Sequence, residues 1–411
     1  MLIAGAGSVA STNAIAATSS PSTPTSTSYT CVRNFYVSPT GSDSAAGTAQ
    51  AAPWRTLQHA DTAGQLRAGD CVNLANGVYT VQQTQALYHG GNANTATGYV
   101  VYRSINPQGA KLKAAGSGMQ DVIDAYGDYM IFDGLELDGS NEGLVSNPVT
   151  NGSGIIGWGH HFQALNNLVH DFGGEGIGAL FKDWYWIVGN TVYNNSQFNG
   201  YQTSGISIYE PAAVSFTPTA ADNAAAYHIT IKNNVAHDNA EWHVACATPN
   251  CHTDGNGVIL DDFQLTQGAN PYAAAGKVYP YKTLVQGNTI YHNGGRGVHV
   301  FQSDNVTVDS NVVYGDNLDT VNASTRGRGE LSNANGTNNV WTNNKAAATT
   351  LTGGPEIYNT AVVDAVWAGA TTVTWTNNAN IDTRTGGKSY QIDNAARAAA
   401  FPLNNPLGAP L

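Results

Sequence analysis

The 411-residue chain is poor in charge: only 11% of its residues are Asp, Glu, Lys or Arg, and 17 basic side chains face 29 acidic ones. No Lys/Arg run exists, so the basic footprint that a phosphate backbone requires is missing and nucleic acid is excluded as a partner. No stretch of 18 uninterrupted apolar residues exists either, which excludes a spanning helix and, with it, a membrane partner. Charge is absent altogether from Met1 to Thr30. That stretch opens on Leu2, Ile3 and Ala4, passes small residues at Ala14–Ala17 and continues in Ser, Thr and Pro from Thr18 to Ser28. Residues 1–30 therefore read as the remnant of a secretory signal and a linker, placing the protein outside the cell. Cysteine is limited to four, an even number in an export-like chain, and predicts the bridges Cys31–Cys71 and Cys246–Cys251.

What the chain has in plenty is glycine, 46 residues, and an internal repeat. A short β-rich run recurs as FQALNNLVHD (162–171), WIVGNTVYNN (186–195), ITIKNNVAHD (229–238), LVQGNTIYHN (284–293) and VTVDSNVVYG (306–315). The shared Asn167, Asn190, Asn234, Asn288 and Asn311 are spaced by 23, 44, 54 and 23 residues. A recurring 23 is one coil of a solenoid, and the longer intervals are coils carrying inserted loops. The asparagines read as a stacked ladder that satisfies turn backbone groups.

A second run follows each turn: SGIIGW (153–158), EGIGAL (175–180), SGISIY (204–209), NGVILD (256–261), RGVHVF (296–301) and RGELSN (328–333). Period-2 alternation points Ile155, Ile177, Ile206, Val258 and Val298 inward. Glycine at a fixed place suits close backbone approach. The fold expected is all-β, a right-handed parallel β-helix with an N-terminal helical cap from PWRTLQHADTAGQL (53–66). One domain covers 31–411, with the cap at about 31–80, the clearest coils at 130–345 and a closing segment at 346–411.

The stretches FYVSPTGSDSAAGTAQAAPWRTLQHA (35–60) and GDCVNLANGVYT (69–80) resemble the N-terminal signature of secreted β-helix polysaccharide lyases, those of the family 9 pectate lyase type. With the coils, the resemblance covers most of 31–345. It implies an extracellular enzyme acting on polysaccharide, and it implies calcium. In that family a stretch similar to DGNGVILDD carries a catalytic Lys after Gly-Asn-Gly, and Ile259 stands at the matching position here. The family's base is thus replaced, and pectate specificity is not carried over.

Stacking turns sequence columns into a surface. Before each glycine stand Ser153, Glu175, Ser204, Asn256, Arg296 and Arg328; two residues after it stand Ile156, Gly178, Ser207, Ile259, His299 and Leu331. Asp254, Asp261, Asp262 and Glu210 are hard oxygen donors for Ca²⁺. Eliminative cleavage of an anionic uronan needs a group that neutralises the sugar carboxylate and a base; Arg296 and His299, with Asp262, Glu210 and Lys182, are the candidates, and Lys282 is a further one. Glu175, Asn256, Tyr209, Trp158 and Trp242 are the candidate sugar contacts. The rival readings are a hydrolase built on Glu210 and Asp262, whose carboxyl separation would set the stereochemical outcome, and a non-catalytic glycan-binding solenoid. Long insertions after Asn190 and Asn234 suit groove walls, and His243 and His252 flank the Cys246–Cys251 pinch as possible bases or metal ligands. The expected enzyme is a monomeric lyase that cuts an anionic polysaccharide with calcium assistance.

Overall fold

In the computed structural model the repeat becomes three parallel sheets of eleven, ten and ten strands. Described are residues 29–116, 118–213, 220–245, 252–273, 277–319, 321, 328–348, 360–365, 372–382 and 390–392. The expected signal remnant and the Cys246–Cys251 bridge lie outside them, apart from Tyr29 and Thr30. Each coil gives one strand to each sheet, as in Phe162–Leu165 (sheet I), Leu168–His170 (sheet II) and Ile177–Leu180 (sheet III). Sheet III aligns Ile123, Ile155, Ile177, Ile206, Val258, Val298 and Leu331 in register, and all seven are fully buried.

The corner glycines are explained by space. A Cβ on Gly154, Gly176, Gly257 or Gly297 would lie 2.0–2.4 Å from the side chains of Val169, Val192, Ile290 and Val313 respectively. Only a residue without a side chain lets sheets II and III meet so closely. Between sheets I and II the chain turns through a left-handed residue such as Asn166 or Asn233, both at φ 55, a conformation Asn tolerates well.

The next residue is the ladder asparagine. Asn167, Asn190, Asn234, Asn288 and Asn311 each donate their backbone N–H to the Oδ1 of the next coil's asparagine at 2.9–3.0 Å, and Asn344 and Asn378 extend the row. A second ladder, Asn195, Asn239 and Asn293, runs along the other end of sheet II and ends on Asp316.

Asp316 is fully buried against Glu330, whose Oε2 accepts its backbone N–H at 3.2 Å. Burial pushes the Asp316 carboxyl up to about 7 and raises Glu330 further. A carboxyl raised in the folded state holds its proton there and loses it in the unfolded chain, so the Asp316 contribution to stability falls as pH climbs from the usual carboxylate value to about 7, and Glu330 carries the loss to higher pH. Asp316→Asn completes the ladder with an uncharged rung. Denaturation at pH 8 should find the variant more stable than the unmutated protein, with a flatter pH profile.

Helix Leu57–Gly64 covers the N-terminal end, its Thr56 accepting the His59 N–H at 3.1 Å. Its Asp61 takes the backbone N–H groups of Tyr88 and His89 at the end of the first sheet III strand. Cys31–Cys71 is bridged, which fastens the first described residues to sheet I. The segment after Asn344, expected to close the far end, continues the solenoid: Thr360–Ala365, Val373–Thr376, Ala379–Asp382 and Tyr390–Ile392 add to all three sheets.

Candidate active-site groove

The outer face of sheet III forms the floor of a groove of about 1330 Å³, walled by residues 148–152, 199–203 and 253–254. Its central column reads Asp124, Ile156, Gly178, Ser207, Ile259, His299 and Ser332 in strand register. The last member corrects the sequence alignment: Leu331 pairs with Val298 and is buried, so Ser332 stands beside His299. Glu330, not Gly329, precedes the residue paired with Val298, and such a one-residue slip exchanges the faces of a strand. Arg328 likewise falls out of the groove column and donates from Nη2 to the Asp319 carbonyl.

Glu175 occupies the middle of the floor. Gly178 makes room for it, because a Cβ there would lie 2.3 Å from Glu175 Oε1. Burial, reinforced by the charge of Asp121 and, more weakly, Asp254, and opposed by Ser207, pushes the Glu175 carboxyl up to about 8. Asp121, one coil beyond Ser153, is itself raised to about 7 by burial and by Asp124, although its Oδ1 accepts the Ser153 N–H at 2.8 Å. Asp261 also lines the groove; burial lifts it well above the usual carboxylate range, while Gln267 donates to it at 3.0 Å.

Arg296 and His299 line the same groove. The Arg296 Nη1 donates to the Thr253 carbonyl at 2.5 Å, and Asp254 and Glu241 offset the cost of burying its charge. His299 Nδ1 lies 3.0 Å from Ser332 Oγ. Burial and the neighbouring Arg296 hold the imidazole well below its ordinary pKa, so it is neutral at pH 7.

Along one rim runs a row of rings from five successive coils: Tyr88, Tyr126, Trp158, Phe181 and Tyr209, with centroids 4.8, 5.9, 6.0 and 5.6 Å apart. The first three stack on one another; Phe181 and Tyr209 are tilted by 47° and 54°. Trp158 Nε1 donates to Asp124 at 3.0 Å. On the opposite wall Tyr201 is 92% exposed over the groove.

Five predicted site residues are placed elsewhere. Glu210 and Asp262 sit at left-handed corners, φ 41 and 54, and are fully buried. Glu210 accepts the N–H groups of Ala269 and Asn270; Asp262 accepts those of Thr266 and Gln267. Both are spent on folding the 264–270 loop, so they are neither a carboxyl pair open to substrate nor free cation ligands. Asn256 is buried and bonds Ser204 Oγ and the Arg296 backbone N–H. Lys182 lies 3.7 Å over the ring of Tyr272. Trp242 lines a different cavity, of about 880 Å³, on sheet II with Lys111 and Asp138. The calcium set is thereby split, Asp254 and Asp261 in the groove, Glu210 and Asp262 beneath a loop, and the four do not fit one convergent site. Among the described residues, ligand-type atoms gather within 4.8 Å in two other places, Asp138–His170–Asp171 and Glu241–His252–Asp319.

The sequence reading passed over Asp121 and Asp124 because their strand, DVIDA, lacks the glycine used as the reference. Continuing the alternation one coil upstream would have found them, and Tyr126 with them.

Residues 275–387 match the family model described as right handed beta helix region. No curated protein matches the chain. Among solved structures it is similar to pectate lyase Pel9A (15% identity, 89% of this chain and 78% of that one, TM-score 0.48). It is also similar to an alginate lyase from Paenibacillus sp. str. FPU-7 (17%, 82% and 96%, 0.46) and to XylC in complex with xylose (11%, 85% and 75%, 0.44). The three parallel sheets and the matched stretch together make this chain a right-handed parallel β-helix.

Proposed function

We propose that the protein is an extracellular polysaccharide-degrading enzyme that hydrolyses a glycosidic bond in the sheet III groove, with Glu175 as the proton donor. The observation that carries this reading is a carboxyl raised to about 8, on the floor of a long groove, with Asp121 and Asp254 near enough to repel its charge. Carboxyl groups driven apart in pKa are how glycosidases separate acid from base. Glu175 gives its proton to the leaving glycosidic oxygen as the C–O bond breaks. An ionised carboxylate beside it takes the proton of the water that adds to the sugar carbon, or first attacks that carbon itself. The rim of rings spans four coil intervals, roughly 19 Å at about 4.8 Å each, which suits a chain of sugars better than a single ring.

Elimination is the second reading, favoured by the neutral His299 beside Arg296. It faces an obstacle in the groove's own carboxyl groups: Asp121, Glu175, Asp254 and Asp261 line the same groove, and each one that ionises repels a uronate carboxylate. Arg296 is already engaged with Thr253 and set against Asp254 and Glu241. No step is assigned to calcium.

Digestion of a panel of neutral glycans and uronans, with and without chelator, tests the assignment. Hydrolysis gives new reducing ends on a neutral polymer with no unsaturated-uronate absorbance. Appearance of that absorbance on a uronan replaces hydrolysis with elimination; retention on glycan with no cleavage makes the protein a binder.

A further inference from the structure

Behind the groove wall lies a cluster that the proposed chemistry does not use. Glu241 follows the ladder residue Asn239, His252 stands where the inserted loop returns, and Asp319 belongs to a later coil; their ligand-type atoms lie within 4.8 Å of one another. All three are buried, at 0%, 4% and 2% exposure.

Three observations separate this cluster from an ordinary buried ion pair. Glu241 Oε2 accepts the Asp254 N–H at 3.1 Å, but Oε1 is buried and makes no hydrogen bond. Such an oxygen is costly to leave unpartnered. His252 Nε2 lies 3.1 Å from the Val244 carbonyl and so carries its hydrogen there, which turns the Nδ1 lone pair towards Asp319 Oδ2 at 2.6 Å. Lone-pair atoms at that separation share a proton, which a divalent cation coordinated by both displaces. An imidazole whose other nitrogen donates to a backbone carbonyl is also the usual arrangement around a bound metal. Asp319 is held in place independently, its Oδ1 accepting the Val321 N–H at 2.8 Å.

We infer that Glu241, His252 and Asp319 bind a borderline divalent cation of the Zn²⁺ class. One imidazole nitrogen with two carboxylates suits zinc, whereas Ca²⁺ takes six to eight oxygens and disfavours nitrogen. Two carboxylates balance the charge of the ion, and Glu241 Oε1 gains the partner it lacks. Binding is structural: the ion clamps both ends of the inserted loop to the coil of Asp319. It thereby fixes Thr253, whose carbonyl holds Arg296, and Asp254 on the groove wall. The site stands whether the groove hydrolyses, eliminates or only binds.

The test uses the full chain, stripped with chelator and titrated with Zn²⁺ by calorimetry and with Co²⁺ by visible absorption. The expected result is one equivalent of Zn²⁺, a raised Tm, and Co²⁺ bands showing nitrogen ligation. Glu241→Gln and His252→Gln should each weaken binding by about 100-fold or more, while Asp138→Asn in the other acidic cluster leaves it intact. Absence of a stoichiometric Zn²⁺ or Co²⁺ site in the unmutated protein overturns the inference, whatever the variants do. So does Zn²⁺ binding that survives both substitutions, or tight Ca²⁺ binding without Zn²⁺; His252–Asp319 is then an imidazolium–carboxylate pair.

Discussion

Glu175→Gln should lower kcat by about 10²–10⁴-fold while leaving the fold and glycan binding intact, because the amide keeps the shape of the side chain and removes its proton. The pH dependence supplies the sign. A general acid works protonated, so activity should hold below and fall as pH rises through about 8, the value to which burial and Asp121 raise Glu175. Rates measured between pH 5 and 10 check this. A limb that rises across the same interval would mean that the group is needed ionised, as a base. Gly178 belongs to the same prediction as a positioning residue: a methyl group there displaces Glu175 Oε1. Gly178→Ala should therefore cost activity through kcat and shift the alkaline limb, which damage to the fold alone would not do.

Asn234→Leu should destabilise the solenoid by about 3–6 kcal/mol. The Asn234 Oδ1 accepts the Asn190 N–H at 2.9 Å, and its Nδ2 donates to the Ile187 carbonyl at 2.9 Å. Leucine fills similar volume and leaves both buried backbone groups without partners, at about 1–3 kcal/mol each, in addition to the lost bond to Asn288. Against a typical total of about 5–15 kcal/mol this is a large fraction. Asn343→Gly, at an exposed left-handed corner, should stay within about 0.5 kcal/mol. Chemical denaturation compares the two, and equal midpoints would deny the ladder its structural role.

The coil was legible because its constraints are local and periodic. A buried asparagine must follow each left-handed corner, and it recurs even where inserted loops stretch the 23-residue spacing to 44 or 54. The second ladder was as visible in principle, since Asn195, Asn239 and Asn293 each stand five residues after an asparagine of the first. Alternation also placed Glu175, Asp254, Asp261, Arg296, His299, Trp158 and Tyr209 on the groove. It failed at strand ends. Tyr209 and Asp261 close their strands facing the groove, but the next residues, Glu210 and Asp262, take positive φ and turn beneath the 264–270 loop. Period-2 reasoning has no access to that corner or to the backbone N–H groups waiting there. Trp242 was misplaced for a related reason: the inserted loop leaves from the far end of sheet II, and its first exposed ring covers that sheet instead of the groove.

The most direct measurement is a crystal structure of the Glu175→Gln variant with a bound oligosaccharide taken from the best substrate in the panel. The account predicts sugars along the sheet III groove, with a glycosidic oxygen within hydrogen-bonding reach of residue 175. An oligosaccharide seated on the sheet II cavity beside Trp242, or one whose glycosidic oxygens all lie beyond the reach of residue 175, would contradict it.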